Sequence, residues 1–296
     1  MVDSSGRVLN SGRHVSTAAG MVLGSIVSVQ CGAALATTLF DQVGSSATVF
    51  LRSAFAALLL LLAAHRHRVT GLERRLIREV VVFGLVLSAM NLAFYAAIDR
   101  LPLGTAVTLE FLGPLGVALA GTRRRIDLIW VALAAGGVFL LSGGIGGGSE
   151  VLGVALALFA AACWAAYIVL NAQLGSRHAG MGPLALAMAA SALITLPFGI
   201  GAVGDGLLSP GTLATGLAVG LLSSAVPYAL ELEALRTLPN SVFGVLMSLE
   251  PAVAALVGFL ALSQGLSAAE ILAVAMVVIA SAGALRGTGS RPPLVD

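Results

Sequence analysis

Residues 108–119, "TLEFLGPLGVAL", place one carboxylate, Glu110, in an apolar run that meets no further charge until Arg123. Residues 248–256, "SLEPAVAAL", do the same with Glu250. A proline follows each acid closely, Pro114 in the first stretch and Pro251 in the second. Whether these glutamates are costly depends on what surrounds them, and composition answers that. Of 296 residues, 58% are hydrophobic and only 10% charged, with a mean hydropathy of +1.01. A water-soluble domain carries about 25% charged residues to wet its surface. This chain cannot wet a surface of its size, so it belongs in a bilayer. Its net charge of +2 gives no reason to expect a nucleic-acid partner. Cys31 and Cys163 both fall inside apolar runs, which argues against a disulfide framework.

A helix needs about 20 apolar residues to cross the hydrocarbon core. The runs between charged or Gly/Pro-rich breaks give ten spans: 18–39, 44–64, 79–98, 104–121, 127–145, 151–172, 181–202, 212–231, 240–261 and 267–285. The connections are too short for a soluble domain. Arginine sets the orientation, since basic residues collect on the cytoplasmic side. With the N-terminus inside, fourteen of the sixteen basic residues fall in cytoplasmic segments; Arg100 falls outside and Arg52 within a span. The two ends, 1–17 and 287–296, read as cytoplasmic tails of disordered composition. Arg7, Arg13 and the "AALA" at 33–36 resemble a cleavable signal. The apolar segment is long and holds Gln30, however, and removing it would strand nine spans, so it is read as the first span.

Two stretches repeat. In "AIDRLPLGTAVTLEFLGPLGVALAG" (97–121) and "ALRTLPNSVFGVLMSLEPAVAALVG" (234–258), a Leu-Pro pair, a second proline and a glycine align without gaps. The offset is 137 for each proline pair (239 − 102 and 251 − 114). The chain thus divides into 18–145 and 151–286, five spans each. Five is odd, so the second set enters from the opposite side. The expected architecture is an all-α integral membrane protein of ten helices, two inverted five-helix repeats around a central cavity, as in secondary transporters.

The stretches "VTLEFLGPLGVAL", "RRRIDLIWVALAAGGVFLL", "CWAAYIVLNAQLG" and "VPYALELEALRTLPNSVFGVLMSLEPAVAAL" resemble the EamA-type branch of the drug/metabolite transporter superfamily. Within it they are most similar to bacterial inner-membrane threonine/homoserine exporters. The resemblance spans about residues 18–286. It implies a ten-helix basket with a central cavity in the bacterial inner membrane that exports small amino acids or related metabolites without a nucleotide motor. The arginine distribution places both termini in the cytoplasm, and the inverted repeat points to alternating access. Members tend to carry an arginine early in the second helix, and Arg52 matches.

The residues themselves supply candidates. A carboxylate at membrane depth costs at least about 2.5 kcal/mol, so it should face a cavity or a partner. Proline has no N–H to give, so Pro114 frees the carbonyl of Glu110 and Pro251 that of Met247. In the repeat frame these are equivalent positions, and each opening stands beside a glutamate. Glu110 and Glu250 would read a substrate ammonium group or exchange it for a proton. The alternative is a protonated packing role for each. Arg52 either snorkels outward beside Asp41 or meets a carboxylate, of the substrate or of the glutamates. Asn91 and Tyr95 lie one turn apart, as do Trp164, Tyr167 and Asn171, so each set shares a face expected to look inward. Gln30 joins them, while Glu231 and Glu233 read as interfacial groups near Arg236.

Nothing indicates an enzyme, a cofactor or a metal site. "HRHR" (65–68) reads as an orientation signal, and "GGIGGG" (143–148) lacks the lysine and context of a phosphate loop. The expected partners are the bilayer, a small amino acid or related metabolite, and protons if export is coupled. A carrier for another metabolite or drug-like amine, and a membrane scaffold that moves nothing, stay open. The topology has a direct check: a reporter fused at residue 148 should report the periplasm, and cytoplasmic activity there would remove the basis of the inverted repeat.

Overall fold

A computed structural model describes residues 7–64, 74–120, 127–143, 148–177, 182–235, 237–238 and 240–288. The "HRHR" segment, the centre of the glycine-rich connection, Arg123–Arg125, Arg236 and the C-terminal tail lie outside these residues. The described residues are helical and contain no strand. Seven helical segments are long and apolar enough to cross a membrane, and three shorter apolar helices accompany them, which gives ten in all. This is a multi-pass membrane protein.

Six helices each run from one connection to the next: α1 (Arg7–Thr37), α2 (Phe40–Ala64, kinked near its start at Gly44, φ 79°), α3 (Arg74–Ile98), α6 (Asp127–Gly143), α7 (Gly148–Arg177) and α8 (Gly182–Gly201). A seventh, α13 (Ala268–Thr288), closes the chain. α1 begins within the stretch read as a tail, but its span-forming part, Ser16–Thr37, lies close to the expected 18–39.

Three further spans are broken. α4 (Leu103–Glu110) ends at Glu110 and α5 (Leu112–Ala120) continues after Phe111. α11 (Asn240–Met247) ends at Met247 and α12 (Glu250–Leu262) resumes at Glu250. Between α9 (Pro210–Gly220) and α10 (Val226–Leu235) the chain widens into a π-turn, Leu221–Ala225. Each break follows from a proline three to six residues further on, which cannot donate the i→i−4 bond. Pro114, Pro251 and Pro227 withhold it from the carbonyls of Glu110, Met247 and Ser223 respectively.

Packing arranges these pieces around a common centre. α2 lies along α8, α3 along α7 and α8, α1 along α10 and α12, α4 along α12, and α6 along α13. Small residues let the broken spans meet: a Cβ at Gly104 would sit 2.6 Å from the Cα of Ala255. An apolar cluster that includes Ala36, Tyr95, Ile98, Leu101, Leu103 and Val257 closes the end away from where α1 begins. Hydrogen bonds tie that end together. The Leu103 amide donates to Gln264 Oε1 at 2.9 Å, and Ser267 and Glu270 cap α13 reciprocally (2.8 and 3.3 Å), forming a capping box.

The close crossing predicts a sharp positional effect. Gly104→Leu should cost about 1–3 kcal/mol through overpacking and lower Tm by several degrees in a thermal scan of the detergent-solubilised protein. Gly116→Leu, where a Cβ meets nothing within 4 Å, should leave Tm unchanged.

Candidate functional site

The three broken spans converge on one cavity of ≈ 220 Å³. α1 contributes Ser25 and Gln30, α2 Arg52, and α3 Asn91 and Tyr95. α4 contributes Glu110, α7 Trp164 and Tyr167, and α12 Glu250. The sequence thus named residues from six helices that the fold brings together. Pro114 and Pro251 do not line this cavity; they sit at the breaks already described, four residues beyond Glu110 and Met247, which do. Asn171 does not join them: it shares the face of Tyr167 but lies one turn further along α7, past the cavity, where it is exposed. Glu231, expected at the interface, instead lines the cavity, while Glu233 on the opposite face of α10 is exposed.

Arg52 is half-buried and points into the cavity rather than outward to Asp41. Its Nη1 donates to Asn91 Oδ1 at 2.6 Å and its Nη2 to the Ser223 carbonyl at 3.4 Å. The Tyr95 ring lies 5.6 Å from its Cζ, a cation–π distance. Ser223 is the acceptor that Pro227 leaves without a helical donor, so the π-turn turns a backbone oxygen into a ligand for the guanidinium. The neighbouring Leu222 carbonyl accepts from Ser28 Oγ at 2.7 Å. Among the described residues Arg52 has no carboxylate within ion-pair distance. Its partners are neutral, and its charge is solvated without being cancelled.

The carboxylates are held differently from one another. Glu250 is buried and accepts from Gln30 Nε2 at 3.1 Å, while its Oε2 and Gln30 Oε1 have no hydrogen-bond partner. Glu231 accepts from Ser25 Oγ at 2.5 Å. Glu110 is buried yet accepts no hydrogen bond from a described residue, and it shares the cavity with Glu250 and Arg52. Orphaned buried polar atoms are costly. A cluster of them around one void marks a place made for polar contents. Aromatic rings frame it: Phe111 meets Trp164 edge-on at 5.6 Å, and Phe83 stacks on Tyr167 at 5.2 Å.

Burial grades along the cavity. Tyr95, Asn91, Glu110 and Glu250 are buried, while Tyr167, Tyr228 and Glu231 are half-buried. The void is therefore closed at the apolar-cluster end and open toward the end where α1 begins. Tyr228, Ser25 and Ser223 were not singled out from the sequence. Tyr228 precedes Glu231 by one helical turn, so a shared polar face in "VPYALELE" was available as a signal. A lone serine in an apolar helix offers none.

A multi-pass helical membrane protein whose broken helices surround a polar void has the construction of a membrane transporter. Residues 151–286 match the EamA-like transporter family. The chain is 42% identical over 266 residues to the threonine/homoserine exporter RhtA of Salmonella typhimurium (strain LT2), covering 89% of each chain. It is 40% identical over 266 residues, again 89% of each, to the threonine/homoserine exporter RhtA of Escherichia coli (strain K12). A solved crystal structure at 20% identity superposes with a TM-score of 0.61 over 90% of this chain and 96% of that one, a likeness of fold. The chain belongs to the EamA-like transporter family and is a transport protein rather than an enzyme.

The Arg52–Asn91 bond is charge-assisted, so Asn91→Ala should cost about 1.5–3 kcal/mol. Ser28→Ala, which removes a neutral bond, should cost about 0.5–1.5 kcal/mol. Thermal scans in one detergent would rank them, and an equal or reversed order would contradict the assignment.

Proposed function

We propose that the chain is a secondary carrier in the bacterial inner membrane that exports threonine- and homoserine-like amino acids, binding them as zwitterions in the central cavity. The observation that carries this reading is the separation of charge in one void. Arg52 stands on neutral partners at one wall, and Glu110 stands without a hydrogen-bond donor at another. An α-amino acid brings the complement of both. Its carboxylate would take the guanidinium's remaining donors, and its ammonium would lie between Glu110 and Glu250. A side-chain hydroxyl would find Gln30 Oε1 and the frame set by Trp164 and Tyr167. The relatives named threonine/homoserine exporters agree with that chemistry.

Alternating access through an inverted repeat is part of this proposal. In the frame of the proline repeat, residues 137 apart line the same cavity: Gln30 and Tyr167, Met90 and Pro227, Asn91 and Tyr228, Phe94 and Glu231, Glu110 and Met247 (for instance 228 − 91). The packing has the same character. Exchange the first five spans with the last five, and the α2–α8, α4–α12 and α6–α13 contacts map onto themselves, while α3–α7 maps onto α10–α1. A void with one sealed and one open end is then one of two related states, the other sealing where this one opens. Both termini would face the cytoplasm, on the arginine distribution.

Coupling follows from charge. Three carboxylates against one guanidinium leave an excess of two negative charges if all are ionised, which a water-poor cavity opposes. A proton on Glu110 lowers the excess by one; a zwitterion leaves the sum unchanged but sets its ammonium where that proton would sit. The two would therefore compete, and competition is the least that antiport needs. The same surplus of acid suits a cationic amine, the second reading.

In proteoliposomes, an imposed inward proton gradient should accelerate efflux of labelled threonine. Glu110→Gln and Glu250→Gln should each lower transport at least ten-fold while the protein stays folded. Full activity in both variants would overturn the binding role, and gradient-independent efflux in wild type would leave facilitated diffusion.

A further inference from the structure

A second cavity, of ≈ 710 Å³, shares no lining residue with the first. It lies in the seam between the first turns of α3 and the last turns of α7. Its α3 wall carries Arg74, Arg75, Arg78 and Glu79; deeper in, the walls are apolar, with Val82 from α3 and Leu170 from α7. Buried Phe83, stacked on Tyr167, partitions it from the central void.

Its charge is not balanced internally. Arg75 pairs with Glu79 at 3.2 Å. Arg74 and Arg78 lie one turn apart on one face, are exposed, and have no ion-pair partner among the described residues. They stand where the apolar part of α3 begins, at the depth of lipid headgroups. Beside the cavity α3 exposes Ile77, Val81, Val82 and Leu85, side chains of the kind that meet acyl chains. A ligand that satisfies the whole cavity therefore needs an anionic, oxygen-rich head and an apolar body. Arginine's planar fork suits phosphate oxygens in particular. A small soluble anion would satisfy the guanidinium groups and leave the Val82–Leu170 walls unfilled.

We infer that the α3–α7 cavity binds an anionic phospholipid, its headgroup phosphate on Arg74 and Arg78 and its chains along Val82 and Leu170. The site is separate from the transport cavity and does not depend on what that cavity carries. Because the lipid would lie across the seam, it would join the two helices whose Phe83 and Tyr167 form the partition.

The test is native mass spectrometry of the full chain in detergent, titrated with phosphatidylglycerol or with phosphatidylcholine. Phosphatidylglycerol should be retained preferentially. Arg74→Gln/Arg78→Gln should weaken its retention roughly 30-fold, about five-fold per arginine, and weaken that of phosphatidylcholine, whose phosphate is offset by its own choline ammonium, much less. Arg74→Lys/Arg78→Lys should recover most of the loss. If the double glutamine variant does not fold, Arg78→Gln alone carries the comparison, with a roughly five-fold loss. Equal retention of the two lipids, or equal phosphatidylglycerol binding by wild type and variant, would overturn the site. So would complete displacement of the lipid by millimolar inorganic phosphate, which would make it a soluble-anion site.

Discussion

Hydrocarbon offers a backbone carbonyl no water, so a helix that breaks inside a membrane must turn the freed group toward protein or toward a polar void. That constraint organises this molecule. Pro114, Pro227 and Pro251 each withhold a donor at mid-span, and the carbonyls they release belong to Glu110, Ser223 and Met247. All three residues line the same cavity. The Ser223 carbonyl shows the principle completed: Arg52 from α2 supplies the hydrogen bond that Pro227 cannot. The void is thus tied to the breaks, since the breaks would be untenable facing lipid.

Once such a void exists, charge can be kept in it at tolerable cost. Arg52 is stabilised by Asn91, a backbone oxygen and an aromatic face, none of which neutralises it. Among the described residues Glu250 and Glu231 each have one neutral donor, Gln30 and Ser25, and Glu110 has none. A binding site that paired its own charges would have to break those pairs to admit a zwitterion. Here the opposing charges are held apart, and on the proposed reading the substrate completes them. The closed end, sealed by aliphatic packing and the Gln264 and Glu270 hydrogen bonds, keeps the arrangement from becoming a channel.

Much of this was legible in the sequence because it rests on one-dimensional signals. Span count follows from run length, and the breaks at Glu110 and Met247 follow from proline four residues on. Asn91 with Tyr95, and Trp164 with Tyr167, could be placed together because helical spacing puts them on one face. What required three dimensions was depth and rotation. Glu231 looked interfacial by its distance from the end of its span, yet the π-turn at Leu221–Ala225 shifts the phase of the helix that follows, and Glu231 lines the cavity. Asn171 does lie on the face of Trp164 and Tyr167, but a turn further along α7, beyond the depth of the cavity. Arg52 could not be decided between snorkelling and cavity, because its partners lie 39 and 171 residues away in sequence.

The central claim is that Arg52 reads the carboxylate and Glu110 the ammonium of one bound amino acid. Equilibrium binding of threonine and of two analogues, one lacking the amino group and one lacking the carboxylate, tests it most directly in wild type, Arg52→Gln and Glu110→Gln. The account predicts a crossed pattern. Arg52→Gln should weaken threonine and the carboxylate-free amine unequally, costing threonine at least ten-fold and the amine little. Glu110→Gln should penalise threonine and spare the amino-free acid. If each substitution weakened all three ligands by the same factor, neither residue would read the group assigned to it, and the account would be contradicted.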